Sequence, residues 1–309
     1  MKRKLVISMV VLALVALVGG GGLAAAQETY TVVSDIPWPP FEMELEGEFF
    51  GFDLDVIRAI AVIAGFEVDI QNCEWAILVS SVQAGAKDIG ASGLTDFPGR
   101  AAKVDFSNHY WLSNQAVVIP KDSDFNIVTA LCGLGPTGAV GAQRATTGGW
   151  WVEDLQQVEG IDVELKQYPT YPLAILDLVA GRIDAVIQDE PASISSLTAF
   201  PDDLKIAGII NTDEYFGFIV PKGDPNGLLP RMNDAMVVLG VKTVVGPTGV
   251  EEFDITGGSF WENLVAAYFG PPAEKIEAAW SKCKNLLLSA TCLEDLENYA
   301  RCMANAVKE

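Results

Sequence analysis

The sequence predicts an α/β protein of two lobes joined by a pair of strands, with a separate helical segment at its C-terminal end. Three observations predict it. Short β-rich runs alternate with helix-length amphipathic segments, the rhythm of a sheet with crossover helices. That rhythm halts after the first third of the chain and then restarts beyond a linker. Two similar apolar runs, 116–120 and 215–220, flank the restarted part, as strands leading out of one lobe and back would. The 309 residues are enough for two domains of ordinary size, and half of them are hydrophobic, so each lobe can hold a core.

In chain order, 30–33 reads as a strand, broken by Pro37, Pro39 and Pro40. Residues 52–64 place Leu54, Ile57, Ala61 and Ala64 at helical spacing, with Ile60 beside them, and Gly65 ends that helix. Residues 66–70 alternate apolar and polar as a half-buried strand does. A second helix spans 75–84 and stops near Gly85, and a strand begins at Asp88. After the linker come strands at 116–120, 139–142 and 163–165, helices at 149–158 and 172–180, and a strand at 185–187 running into Gln188, Asp189 and Glu190. A strand over 215–220 and a helix over 225–239 follow. The first lobe is expected to comprise 27–117 with 218–270, and the second 118–217. Residues 271–309 open with Pro271 and Pro272 and form two amphipathic helices, 273–288 and 293–307, expected to pack on the first lobe.

The first 26 residues read as an export signal. Lys2, Arg3 and Lys4 precede an apolar run over 5–18, and Ala24, Ala25 and Ala26 form a small-residue cleavage site before Gln27. That run falls short of the roughly 20 residues that span a bilayer. The mature chain is therefore expected in the periplasm, outside the cell or at its surface. Cleavage moves the net charge from −21 to −24, since it removes three cations and no acid. A chain so acidic is not a nucleic-acid binder, which needs Lys and Arg patches. A single His, His109, and the lack of paired C-x-x-C spacings argue against a metal site or a Ser-His triad. No metal, cofactor or catalysis is expected. Export makes disulfides possible. One bridge is expected within Cys283, Cys292 and Cys302, the pair left open. With Cys73 and Cys132 the total is five, so at least one thiol stays unpaired or pairs between chains.

Several segments form an ordered series. Ser34-Asp35-Ile36-Pro37-Trp38-Pro39-Pro40-Phe41-Glu42 precedes Gly51-Phe52-Asp53-Leu54-Asp55, then Trp75, then Gln83-Ala84-Gly85. Ser92-Gly93-Leu94-Thr95 leads to Arg100, followed by Val104-Asp105-Phe106-Ser107. Thr146-Thr147-Gly148, the run from Gly181 to Glu190, and Tyr215-Phe216-Gly217-Phe218 before Lys222 and Gly223 complete it. In order and spacing the series resembles the family 3 extracellular solute-binding proteins of polar amino acid ABC transporters, which include histidine- and glutamine-binding proteins. The likeness covers roughly 28–240, and implies the periplasmic-binding-protein-like fold, a free amino acid as ligand, a membrane ABC permease as partner and a monomeric chain.

A free amino acid demands a donor fork for its carboxylate and an acid for its ammonium. Arg grips a carboxylate through two parallel N–H bonds, and Arg100 stands where the family places that Arg. Thr95 offers a hydroxyl, and backbone N–H groups around Gly93, Leu94 and Thr95 offer further donors. Thr146 and Thr147 precede a helix, whose N-terminal N–H groups favour anions. Asp189, at a strand end, matches the family acid that meets the ammonium. Asp35, Trp38 and Trp75 match pocket positions for the ligand side chain. Arg144 is read either as facing the cleft toward an acidic ligand end or as a solvated turn residue.

The chain departs from the family at three places. It has Phe97-Pro98-Gly99-Arg100 for Thr-Pro-Glu-Arg, Ala145 for the Gly of Gly-Thr-Thr, and Trp75-Ala76-Ile77-Leu78-Val79-Ser80 for Trp-Asp-Gly-Leu-Ile-Pro. The main carboxylate donors survive these changes, and the shape of the first-lobe loop, with the ligand side chain it would accept, is left open. Two alternatives share the scaffold. A cyclohexadienyl dehydratase would need an acid or base of shifted pKa in the cleft, from Asp35, Asp189 or Glu190. A ligand sensor would hand its signal to a receptor.

Overall fold

The computed structural model describes residues 27–241 and 259–309, so the export segment read over 1–26 lies outside the described residues. The chain runs β1 (Thr29–Ser34), β2 (Met43–Leu45), β3 (Glu48–Phe50), α1 (Phe52–Ala64), β4 (Glu67–Asn72), α2 (Trp75–Gln83), β5 (Ile89–Gly90), α3 (Pro98–Ala101), β6 (Val104–Phe106) and β7 (Trp111–Pro120). It continues as α4 (Ile127–Leu131), β8 (Ala139–Gln143), α5 (Thr147–Val158), β9 (Glu164–Tyr168), α6 (Tyr171–Val179), β10 (Ala185–Asp189), α7 (Glu190–Ala199), β11 (Leu204–Phe216), β12 (Ile219–Pro221) and α8 (Leu228–Val238). After residue 258 come α9 (Ser259–Tyr268), α10 (Ala273–Leu288) and α11 (Leu293–Ala306).

Two five-stranded sheets form the two lobes, ordered β4-β1-β5-β12-β6 and β11-β7-β10-β8-β9, with β2 and β3 as a separate hairpin. β1 is parallel to β4 and β5, and β8 is parallel to β9 and β10, as β-α-β units require. Local chemistry sets the connecting helices. In α1 the acids Asp53 and Asp55 sit in the first turn, where the helix dipole favours them. Leu54, Ile57, Ile60 and Ala61 are buried, and Gly65 closes the helix in the left-handed conformation, φ 76°.

β7 and β11 connect the lobes. They pair antiparallel from Leu204 opposite Pro120 to Phe216 opposite Trp111. By Gln115, β7 already pairs with β10 of the second sheet. At the other end the N–H of Tyr110 donates to Phe216 O, and that of Gly217 to Leu94 O, in the first lobe. The single strand expected over 215–220 is corrected by this arrangement. The chain leaves β11 at Phe216 and enters the first sheet as β12 at Ile219. Gly217 stands at the changeover, where a β-carbon would come within 3.0 Å of Phe106.

The C-terminal helices pack chiefly on the first lobe, and the start of α10 also meets α7 of the second lobe. Trp280 of α10 stacks on Phe50, ring centroids 4.5 Å apart. Tyr268 of α9 and Tyr299 of α11 both donate to the buried carboxylate of Asp55. A disulfide joins Cys283 to Cys302, which selects one of the three pairings left open by the sequence. Cys73, Cys132 and Cys292 are free.

Candidate functional site: the cleft between the lobes

Four strands point their carboxyl ends at one place, the general position of ligand sites in open α/β sheets. β1 leads to Asp35 and β5 to Ser92, Gly93 and Thr95 in the first lobe; β8 leads to Thr146 and Thr147, and β10 ends at Asp189, in the second. Together with Trp38, Trp75 and Arg100 these residues line a narrow cavity of about 20 Å³.

Arg100 is 5% exposed. Its Nη1 donates to Thr95 O at 2.9 Å. Three rings surround its guanidinium, with centroids 5.0 Å away for Phe97, 5.2 Å for Trp75 and 5.8 Å for Trp150 of the second lobe. Such rings stabilise and orient a cation. Burial pulls the Arg100 pKa down to about 10, against the opposing pull of Glu214 and Asp189, so it remains a cation at neutral pH. Phe97, which replaces the family's Thr, has its reason here, since it also packs edge-on against Trp150 at 5.3 Å.

The opposite wall is acidic. Asp189, 7% exposed, accepts from Ser113 Oγ at 3.2 Å and from Gln115 Nε2 at 3.3 Å. Burial pushes its carboxyl well above the usual range, and the nearby Glu214 pushes it further. Asp35 accepts from Gln143 Nε2 of the second lobe at 2.6 Å. Burial raises its pKa to about 6, partly offset by the Gln143 amide and by the Trp75 N–H at the start of α2. Behind the cleft, Glu214 of β11 accepts from the hydroxyls of Thr95 at 2.8 Å and Thr147 at 2.7 Å. One buried cation therefore faces three buried acids, and two of them, Asp189 and Asp35, hold their protons more tightly than usual, so a cation placed beside them favours their ionised forms.

Thr146 is the N-cap of α5. Its hydroxyl donates to Gln143 O at 2.7 Å and accepts from the Gly149 N–H at 3.3 Å and the Tyr171 hydroxyl at 3.0 Å. That hydroxyl is fully engaged. α5 leaves the first-turn N–H groups of Thr147, which lines the cavity, and of Gly148 without an intrahelical carbonyl to satisfy them. Gly148 lets the backbone approach closely, since a β-carbon there would meet Gln115 Oε1 at 2.7 Å. Gly93, at φ 53°, packs against the Trp38 ring, which a β-carbon would meet at 2.3 Å. Its N–H donates to Asp53 Oδ2 at 2.7 Å, so it is not one of the cavity donors expected from the sequence.

Two nominated residues lie outside the cavity lining. Leu94 is fully buried in the first-lobe core with Val33, Leu78 and Ile219, because successive residues of an extended segment face opposite sides and its neighbours Gly93 and Thr95 take the cleft side. Arg144 extends to the rim, half-exposed, with Nη1 3.9 Å from Glu74 of the first lobe. Sequence reasoning missed Ser92, Gln143 and Tyr171, all of which line the cavity. Gln143 had a signal, since it directly follows the apolar 139–142 run at the carboxyl end of β8. Among the described residues no group of three His, Cys, Asp or Glu is arranged to hold a metal ion, and no helix is long and apolar enough to cross a membrane.

Residues 30–240 match the sequence profile of the bacterial extracellular solute-binding proteins, family 3. The arginine-binding protein ArgT of Corynebacterium glutamicum is 30% identical over 206 residues, covering 64% of this chain and 66% of that protein, just under two thirds of its length. A probable histidine-binding protein of Neisseria gonorrhoeae is 29% identical over 241 residues, covering 73% of this chain and 85% of that one. Among solved structures, an ancestral arginine-binding protein bound to arginine superposes with a TM-score of 0.67 at 26% identity, covering 79% of this chain and 99% of the other. Helices α10 and α11 lie beyond the matched residues.

Proposed function

We propose that this chain, which belongs to the bacterial extracellular solute-binding proteins, family 3, captures a free amino acid with a cationic side chain and delivers it to a membrane ABC permease. One observation carries the reading. Arg100 and Asp189, opposite in charge and both nearly buried, come from different lobes to line one small cavity. Arg100 and the first N–H groups of α5 hold the carboxylate. Asp189 takes the ammonium. Asp35 takes the distal cation, with Trp38 and Trp75 against its apolar stem. A zwitterion with a basic side chain brings one net positive charge to a cleft whose buried acids outnumber its buried cation, and this agrees with the arginine- and histidine-binding relatives.

In this reading the chain is exported, loses residues 1–26 and works as a monomer outside the cytoplasm. Closed lobes are the form the permease recognises. Ligand favours closure because both lobes touch it only when closed. A thermal-shift screen of the 27–309 chain against the common amino acids tests the proposal, since a ligand selective for the folded state raises Tm. Arginine, lysine or histidine should give the largest shifts. No shift with any amino acid at millimolar concentration, or turnover of prephenate or arogenate, would overturn it.

A further inference from the structure

We propose that Glu214, on β11 behind the cleft, is a positioning residue that makes the hydroxyls of Thr95 and Thr147 acceptors for the ligand's ammonium and so sets the site's demand for an amino group. The inference rests on the amino acid reading and deepens it.

Glu214 is 7% exposed and does not itself line the cavity. Its carboxylate accepts three bonds. They come from Thr95 Oγ1 in the first lobe at 2.8 Å, Thr147 Oγ1 in the second at 2.7 Å, and Gln115 Nε2 on β7 at 2.9 Å. A threonine hydroxyl has one hydrogen and two lone pairs. Both Thr95 and Thr147 line the cavity, and both direct their single hydrogen away from it, toward Glu214. What they present to a ligand is lone pairs. Lone pairs repel a carboxylate and accept from an ammonium, so these two hydroxyls extend the acceptor surface of Asp189. The carboxylate of the ligand is left to Arg100 and the N–H groups of α5.

Gln115 completes the arrangement. Its Nε2 lies 2.9 Å from Glu214, 3.3 Å from Asp189 Oδ1 and 3.2 Å from Thr147 Oγ1, holding the acceptor groups in register. The two carboxylates approach closely enough that Glu214 adds to the upward shift of Asp189. A cation beside Asp189 favours its ionised form. Because Thr95 and Thr147 belong to different lobes, this polarity is fully set only when the lobes are closed.

The test compares arginine with 5-guanidinopentanoate, which is arginine without its α-ammonium, by titration calorimetry on the 27–309 chain. Glu214→Leu removes Oε2, the oxygen that accepts from both threonines, so each threonine hydrogen is free to turn into the cavity. Arginine affinity should fall roughly tenfold or more while 5-guanidinopentanoate changes by less than about threefold, shrinking the ratio between them. A residue that merely holds the hinge would weaken both ligands alike and leave the ratio unchanged, which would overturn the proposal. Thr95→Val gives a second test should Glu214→Leu fail to fold. It should weaken arginine more than the des-amino ligand, and the opposite order would mean that the hydroxyl donates to the carboxylate. If the unsubstituted protein binds no arginine, the basic amino acid reading falls and this inference with it. Binding with an unchanged ratio removes this inference alone.

Discussion

Trp75 of the first lobe donates its indole Nε1–H to the carbonyl of Ala145 in the second lobe at 2.8 Å. This bond, the Gln143–Asp35 bond at 2.6 Å and the Phe97–Trp150 ring contact at 5.3 Å exist only while the lobes are closed. A net hydrogen bond is worth about 1 kcal/mol, or roughly fivefold in an equilibrium. Trp75→Phe keeps much of the ring and removes the donor. Ligand affinity should drop by roughly three- to tenfold, measured by calorimetry, and the ligand-free chain should have a larger radius of gyration by X-ray scattering.

Ala145 itself occupies φ 62°, the left-handed region that favours glycine. The family's Gly at this point of Gly-Thr-Thr thus has a steric reason, and the alanine costs about 1 kcal/mol of conformational strain. Ala145→Gly should stabilise the folded protein by up to that amount, seen as a higher urea midpoint with an unchanged m-value.

Asp35 gives the cleft a pH dependence. In the folded, ligand-free protein it keeps its proton up to about pH 6, whereas in the unfolded chain it loses it near 3.8. The folded state therefore holds more protons between these values. The Asp35 contribution to stability falls as pH rises through about 4 to 6, and Asp53, also raised to about 6, acts in the same direction. A cationic ligand side chain has the reverse effect, since it favours the carboxylate. Arginine binding should release a proton below about pH 6, and its affinity should fall about tenfold from pH 7 to pH 5. Asp35→Asn should flatten that profile, and an uncharged amino acid should lack the part that Asp35 supplies.

The Cys283–Cys302 bridge closes a loop of sequence separation 19 between α10 and α11. A bridge over such a loop contributes about 2–4 kcal/mol, chiefly by restricting the unfolded chain. Replacing both cysteines by serine should lower Tm. Ligand affinity below the transition should stay unchanged, because the bridge sits away from the start of α10, where Ala273 shares a pocket with the cleft-lining Trp38 and Tyr171.

Much of this architecture is legible in the sequence because it is written locally. Helical spacing and a terminal glycine mark α1, and the two final helices emerge from amphipathic spacing within a residue of their observed ends. Arg100, Thr95 and Asp189 are found through short motifs. What escaped depends on distant parts of the chain meeting. Gln143 matters because it reaches Asp35, 108 residues away, and Glu214 because it reaches Thr95, 119 residues away. Leu94 carries the same motif signal as its neighbours, and only the alternation of the extended backbone sends its side chain into the core. The β2–β3 hairpin did have a local signal, a two-residue Glu46-Gly47 turn with φ 54° and 85° between short apolar runs.

The central claim is that Arg100 and Asp189 hold the two charged ends of one amino acid. Titration calorimetry of arginine into the 27–309 chain and into Arg100→Ala tests it most directly. Removing a buried, bidentate carboxylate partner should cost at least about 3 kcal/mol, a loss of more than a hundredfold in affinity. Micromolar or tighter binding abolished by that substitution, with the variant still folded by circular dichroism, is the predicted result. Undiminished binding to Arg100→Ala would contradict the account.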